Sequence, residues 1–408
     1  MPHVLFAFPP IGAYPLLEPL AELAMRRGHR VTVLAGSGAD RAFWLAQHLP
    51  ARALAPGGEP GPDVPVRELA AVDHRLAGGR GPVPPRAVRR IGGAAAALQQ
   101  LLTSDPPDVL VVPFGRSGVH RLAHFAARRL GIPTVHVGDG MLPGTLLCDS
   151  EGIDGDSAIA HRGTADYRMV TARPALLRAA AAAFLGAAGA PCVPRRAPSD
   201  PGVPARLWCG LRALREGPRA AYAAFRAWRD AVPARGTPAA DHPALPAPAV
   251  AVLLQPANCP RRLLDARPIS AAALLDAARI AAAAVDPLLG VVAVLPDGPL
   301  GERLREAPAP GAVVGPSSIR SVLATAAAVI TVNHPLAGAA LLLGRPVVHL
   351  GRAVWGVSGV ATPSTLGALP EALARALRDE RPSLRDRCLT RLLRQDHVWC
   401  DRDAPDRN

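Results

Sequence analysis

Apolar residues come in short unbroken runs, each followed by Gly, Pro or small polar residues and then by apolar positions at helical spacing. Residues 3–8 (HVLFAF) read as a buried strand, 9–15 as a turn and 16–27 as a helix that Gly28 stops, before a second strand at 31–34. Runs that are apolar on both faces suit parallel strands covered by helices. Strand, loop, helix, Gly, strand is the opening of a doubly wound domain. No GxGxxG follows the first strand, so a dinucleotide fingerprint is not supported.

Further along, 36–44 (GSGADRAFW) reads as a polar loop carrying two aromatics, and 51–90, rich in Pro, Gly and Arg, as surface loop with one weak strand. The alternation resumes with a helix at 91–102, a strand at 108–112, a helix at 121–130 and a strand at 134–137. Residues 173–246 are Ala- and Arg-rich, with helical patches at 176–185 and 220–231 broken by prolines, and read as an insertion. A second α/β series follows: strand 249–255, helix 270–285, strand 290–295 and helix 317–327. Residues 327–362 then read as a compact βαβ unit, with the turn Asn333-His334-Pro335 at the carboxyl end of its first strand. Helices at 371–378 and 383–394 close the chain. The expected class is α/β: an N-terminal Rossmann-like domain at 1–172, a helical, proline-rich insertion and linker at 173–248, and a second Rossmann-like domain facing the first at 249–370. Closing helices and a tail fill 371–408.

At 408 residues the chain is long enough for two or three cores, and with 49% hydrophobic but 4% aromatic residues these must be built from Ala, Leu and Val. All 46 basic residues are arginines and the net charge is +13, which suits an anionic ligand or surface. The arginines are scattered rather than gathered in a block, which argues against nucleic acid. Cys148, Cys192, Cys209, Cys259, Cys388 and Cys400 form no CxxC pair, so they read as reduced thiols of a cytoplasmic protein. Neither a signal peptide nor a run of 18 apolar residues is apparent, so any membrane contact is expected to be peripheral.

Candidate chemistry sits at strand ends. Asp139, between two glycines, could serve as general base or nucleophile, or simply form an Asp-Gly turn. Arg116 and His120, four apart on the preceding loop, could hold a carboxylate or phosphate, or be a loop arginine and a cap. Ser317 and Ser318 open a helix as phosphate ligands or as an ordinary cap. Asn333 and His334 are polar between two buried strands, where polarity needs a reason. The spacing of Asp149, Glu151, Asp154 and Asp156 does not match a calcium loop, so no metal is expected. There is no GxSxG.

Several of these segments, taken together, resemble the capsular polysaccharide synthesis and export family, specifically its bacterial Kdo (3-deoxy-manno-octulosonic acid) transferases of GT-B architecture. GADRAFW at 38–44 is similar to that family's GD-x-x-FW element. GRSGVHRLAHFAARRLGIPTVHVGDGMLPGTLLCDSEGIDGDS at 115–157 is similar to its G-x-R-x-x-H…E/D-G-x-x-P…D-x-x-G-x-N-x-x-S signature. LLQPANCPRRLLDARPIS at 253–270 resembles its Q…D-x-Q-I…S segment, and 327–362 resembles its N-S-T-x-G…G-x-P-V-x-x-L-G-x-A-x-Y stretch. The resemblance implies transfer of Kdo or a related acidic sugar from a CMP-activated donor to a lipid or glycan acceptor. Asp139 would be the catalytic carboxylate, with Arg116, His120 and Ser157 on the acceptor or sugar. Gln255, Ser317, Ser318, Asn333, His334 and Gly338 would surround the donor nucleotide. No cofactor is implied, because the CMP-sugar is a substrate. The resemblance also implies a cytoplasmic protein in peripheral contact with the inner membrane and with capsule-assembly machinery. Two departures stand out: Leu295-Pro296-Asp297 occupies the place of a family His-Pro, and His334-Pro335 that of Ser-Thr. They leave open a catalytically silent assembly or export accessory protein. The first 35 residues also resemble nucleotide-sugar transferases that act on natural products.

Overall fold

The structure, a computed structural model, describes all residues except 10–13, 55–56, 80, 143–144, 187–247, 257–258, 296–311, 315–318, 379–381 and 400–408. Contacts divide the chain at Gly138/Asp139 into two compact units, each a Rossmann-like α/β layer structure.

The first unit runs β1 (His3–Ala7), α1 (Tyr14–Arg26), β2 (Arg30–Ala35), α2 (Gly38–Ala46), β3 (Ala51–Ala53), α3 (Val66–Leu76), α4 (Pro85–Ser104), β4 (Val109–Pro113), α5 (Gly118–Arg129) and β5 (Thr134–Asp139), whose last residue opens the second unit. Five of these strands lie in the order β5-β4-β1-β2-β3, all parallel, with Leu5 opposite both Thr32 and Leu110. Leu5, Ala7, Leu110 and Val112 face Leu69, Ile91, Leu98 and Leu122 of the helices in one apolar core.

Two segments expected as loop are helical. Residues 36–44 carry α2, because the Ser37 side chain caps it by accepting from the Asp40 amide at 3.1 Å, and Trp44 is fully buried. Within 51–90 lies α3, whose Leu69, Ala70 and Val72 are buried. Its Asp73 holds the start of α5, accepting from the Gly118 amide at 2.6 Å and from Arg90 at 2.8 Å.

The second unit contains β6 (Thr145–Asp149), α6 (Pro174–Gly186), β7 (Ala249–Leu253), α7 (Pro260–Asp265), α8 (Ala271–Val285), β8 (Gly290–Val294), β9 (Ala312–Val314), α9 (Ile319–Thr325), β10 (Ala328–Thr331), α10 (Ala337–Leu342), β11 (Val347–His349), β12 (Thr362–Pro363), α11 (Leu369–Arg378), α12 (Pro382–Arg391) and β13 (His397–Trp399). Six parallel strands lie in the order β12-β11-β10-β7-β8-β9. Alternate residues of the central strands serve opposite faces, as a pleated strand requires. Val250, Val252 and Ile330 pack with Leu274, Ala278 and Leu373 on one side. Ala251, Leu253 and Val329 pack with Val322, Leu323 and Leu389 on the other. The expected helix at 220–231 lies outside the described residues.

Residues 139–172, which the sequence pattern groups with the N-terminal half, pack with the second unit. Met141, Leu142, Leu147, Ile159 and Tyr167 join its core. Arg162 grips Asp396 through two hydrogen bonds of 2.6 and 3.0 Å, and Arg391 donates to the Asp166 carbonyl at 2.6 Å. The acidic turns at 149–161 are organised by one carboxylate: Asp149 accepts from Ser157 Oγ (2.7 Å) and the amides of Glu151 (2.7 Å), Gly152 (3.1 Å), Ala158 (3.2 Å) and Ile159 (3.4 Å). Burial alone would raise the Asp149 carboxyl, but those hydrogen bonds outweigh it and hold it below the usual carboxylate range. Asp149→Ala should therefore lower stability by about 3 kcal/mol, since several donors lose one acceptor together. Urea unfolding is expected to show a lower midpoint at unchanged slope, with faster amide exchange at 149–162.

Candidate functional site

In the second unit the strand order reverses between β7 and β10: the chain leaves β7 towards β8 and β9, then returns to β10 and continues to β11 and β12. Open parallel sheets bind ligands outside the carboxyl ends of strands at such a point. Here β7 ends at Leu253 opposite Thr331, the end of β10, so Gln255 and Asn333 emerge side by side. The Gln255 side-chain oxygen accepts the Asn333 amide at 3.4 Å, and Thr331 Oγ1 accepts the His334 amide at 3.2 Å. Asn333 is 2% exposed. Its Nδ2 donates to the Arg261 carbonyl at 2.9 Å and the Arg352 carbonyl at 3.3 Å, while Oδ1 has no partner among the described residues.

Above this brace lies a recess of about 340 Å³, solvent at its mouth included, lined by Asp139, Asp154, Arg261, Asn333, Arg352 and Trp355, among others. Arg261 Nε donates to Asp154 Oδ1 at 2.6 Å. Burial opposes the Arg261 charge, but the Asp154 carboxylate, and more weakly that of Asp139, outweigh it and raise its pKa above the ordinary value. Asp154 sits at φ +55°, a left-handed conformation that asparagine and aspartate tolerate better than most residues. Arg352 stands 3.5 Å from Asp156 and 3.7 Å from Asp265, whose other oxygen accepts the Gly155 amide at 3.2 Å. A Cβ at Gly155 would lie 2.5 Å from the Asp265 carboxylate, so only glycine lets this turn dock.

Asp139 and Asn333, expected from distant parts of the sequence, thus line one recess. His334 stands beside it: its Nδ1 accepts the Leu336 amide at 3.2 Å, which places the ring proton on Nε2. Burial, then the Arg261 charge, push its pKa down to about 4. Gly338 packs closely on the wall, since a Cβ there would lie 2.9 Å from Met141 and 3.2 Å from Trp355. Ser157 is fully buried on Asp149. Arg116 and His120 belong to the first unit, both buried. His120 bonds Ser117 Oγ through Nδ1 at 2.6 Å and the Phe8 carbonyl through Nε2 at 2.9 Å, and burial lowers its pKa. Ser317, Ser318 and Pro296-Asp297 lie outside the described residues. Arg261, Arg352 and Trp355 were not singled out from sequence. The signal present was an arginine directly after the proline that opens α7 and another three residues beyond the end of the buried β11. No group of three or more His, Cys, Asp or Glu placed to hold a metal occurs among the described residues. None of their helices is long and apolar enough to cross a membrane.

No family model and no curated protein matches the chain. Among solved structures it is similar to Thermosulfurimonas dismutans KpsC, a beta Kdo 2,7 transferase, at 13% identity over 98% of this chain and 92% of that one, with a TM-score of 0.43. It is similar to CalG4, the calicheamicin glycosyltransferase, at 18% identity over 96% and 94% (TM-score 0.39). It is also similar to the S. aureus MnaA–UDP co-structure, at 10% identity over 95% and 91% (TM-score 0.37). None of these likenesses bears on a side chain of the site.

His3, His120 and His349 share with His334 a pKa lowered first by burial. Between about 6.5 and the folded value the unfolded chain binds the proton and the folded one does not, so stability is complete above pH 6.5 and falls on acidification. Asn can replace the Nδ1 acceptor of His334 without titrating. Urea titrations between pH 7 and 5 should give a slope shallower by up to one proton, about 1.4 kcal/mol per pH unit, in His334→Asn. An unchanged slope would place His334 in a solvated, titrating state.

Proposed function

We propose that this chain is a GT-B glycosyltransferase that moves Kdo or a related acidic sugar from a CMP-activated donor to a lipid or glycan acceptor. The observation that carries the reading is that Asp139 shares one recess with Asn333 at the reversal point of a parallel sheet. A carboxylate positioned beside a strand-end ligand site is what a transfer between a bound donor and an acceptor hydroxyl requires. Two Rossmann-like units and the ordered motif resemblance along the chain support the same reading. Paired acids and guanidiniums such as Asp154–Arg261 also suit a hydroxyl-rich ligand, because they offer charged acceptors and forked donors together.

In this reading Asp139 accepts the proton of the acceptor hydroxyl as that oxygen attacks the anomeric carbon. The bond from that carbon to the donor phosphate oxygen breaks, and CMP departs with both electrons. The Nε2–H of a neutral His334 donates to the leaving phosphate, standing in for the Ser-Thr of the family pattern. Gln255 and Asn333 hold the loop that presents it. Cytoplasmic action, peripheral contact with the inner membrane and work alongside capsule-assembly machinery belong to the same proposal.

Asp139→Asn should reduce transfer from a CMP-sugar by about 10²–10⁴-fold while CMP binding and the circular dichroism spectrum stay as in the parent protein. Retained turnover would remove Asp139 from the chemistry. Tight CMP binding with no transfer by the parent protein to any lipid or glycan acceptor would favour the silent accessory protein instead.

A further inference from the structure

The turn Thr164–Tyr167 and the chain that follows it pack on α12. Arg387 donates to the Arg168 carbonyl at 3.0 Å, Arg391 donates to the Asp166 carbonyl, and the Arg173 amide donates to Thr390 Oγ1 at 3.1 Å. Arg168, Arg173, Arg387 and Arg391 thereby share one patch of the second unit. Among the described residues none of the four is ion-paired with a carboxylate. Carbonyl oxygens hold the Arg387 and Arg391 guanidiniums in place without cancelling their charge. Of the nearby acids, Asp386 stands 3.4 Å from Arg385 and Asp396 is gripped by Arg162. Asp166, which accepts the Gly163 amide at 2.7 Å, sets one charge against four. Met169 follows Arg168 at 95% exposure, the most exposed large apolar side chain among the described residues.

We propose that this patch is the surface by which the protein rests on a bilayer of anionic phospholipid. The arginines engage lipid phosphates, and Met169 enters the headgroup layer. An anionic leaflet attracts each arginine near its surface, and a protruding apolar side chain adds binding that salt does not screen. The patch suits lipid better than single-stranded nucleic acid, which needs aromatic faces for its bases. Its one aromatic ring, Tyr167, is fully buried beneath Arg391. Arg375 and Arg378 of α11 are exposed as well, but they share a helix with Glu371 and no exposed large apolar residue.

The inference rests on the membrane contact in the proposed function and not on transfer. Vesicle binding by a protein without turnover would leave it standing. Turnover without vesicle binding would remove it and spare the transferase reading. The test is co-sedimentation of the intact protein with vesicles of equal parts phosphatidylglycerol and phosphatidylcholine, against phosphatidylcholine alone. Binding should favour the anionic vesicles and fall as salt is added. Arg168→Gln combined with Arg173→Gln should weaken it about tenfold or more, and Arg375→Gln combined with Arg378→Gln, which removes the same charge, less than about threefold. Met169→Ser should weaken it about three- to tenfold, by the same factor at low and moderate salt. Equal losses in the two arginine pairs would assign the binding to overall charge and overturn the proposal. Binding of heparin but not of vesicles through Arg168 and Arg173 would give the patch to an acidic macromolecule and overturn it too. Should the Arg168 and Arg173 variant fail to fold, Met169→Ser decides, since that side chain has almost no contact to lose.

Discussion

The recess of the second unit is organised around one buried amide. Asn333 spends both its side-chain protons on the carbonyls of Arg261 and Arg352, the residues that carry the two cations of the recess. Both partners are acceptors, so the amide orientation is fixed by its surroundings and Oδ1 is left without a partner among the described residues. The brace ties the backbone of Arg261 in α7 and of Arg352 after β11 to one point, while their guanidiniums are placed by Asp154 and by Asp156 and Asp265.

That point exists because of the order of the strands. Parallel strands buried on both faces leave polar atoms few places to go except the strand ends. The reversal between β7 and β10 opens those ends where two outward-running connections part. Thr331, Gln255 and Asn333 complete the hydrogen bonding of that edge. The segment after β5 adds Asp139 and the Asp149-centred turns, which bring Asp154 and Asp156 to Arg261 and Arg352. The result is a site whose charges are nearly all engaged with each other. Its chemistry is therefore set by mutual pairing more than by any single exposed group.

Much of this architecture was legible in the chain. Runs such as 249–255 and 328–331 are apolar on both faces, and Gly28 and Ser270 stop and start helices in the expected way. What escaped was polar structure held by tertiary contacts. Helix α3 lies in a stretch punctuated by Pro, Gly and Arg that reads as loop, and it is set in place by its packing and by Asp73, which holds the start of a different helix. Helix α2 begins with Gly-Ala-Asp, which reads locally as a turn until Ser37 is seen to cap it. At the site, Asn333 announced itself as a polar residue between buried strands. Arg261 did not, because in a chain with 46 basic residues one more arginine carries no local signal. Its meaning lies in Asp154, 107 positions away.

The proposed transfer requires that the strand ends at Gln255, Asn333 and His334 receive a cytidine nucleotide. Calorimetric titration of the intact protein with CMP, UDP, GDP and TDP tests it most directly. Saturable binding of CMP in preference to the other three is expected, weakened at least tenfold by Asn333→Ala with the fold retained. Equal or tighter binding of UDP, GDP or TDP, or CMP affinity untouched by Asn333→Ala, would contradict it.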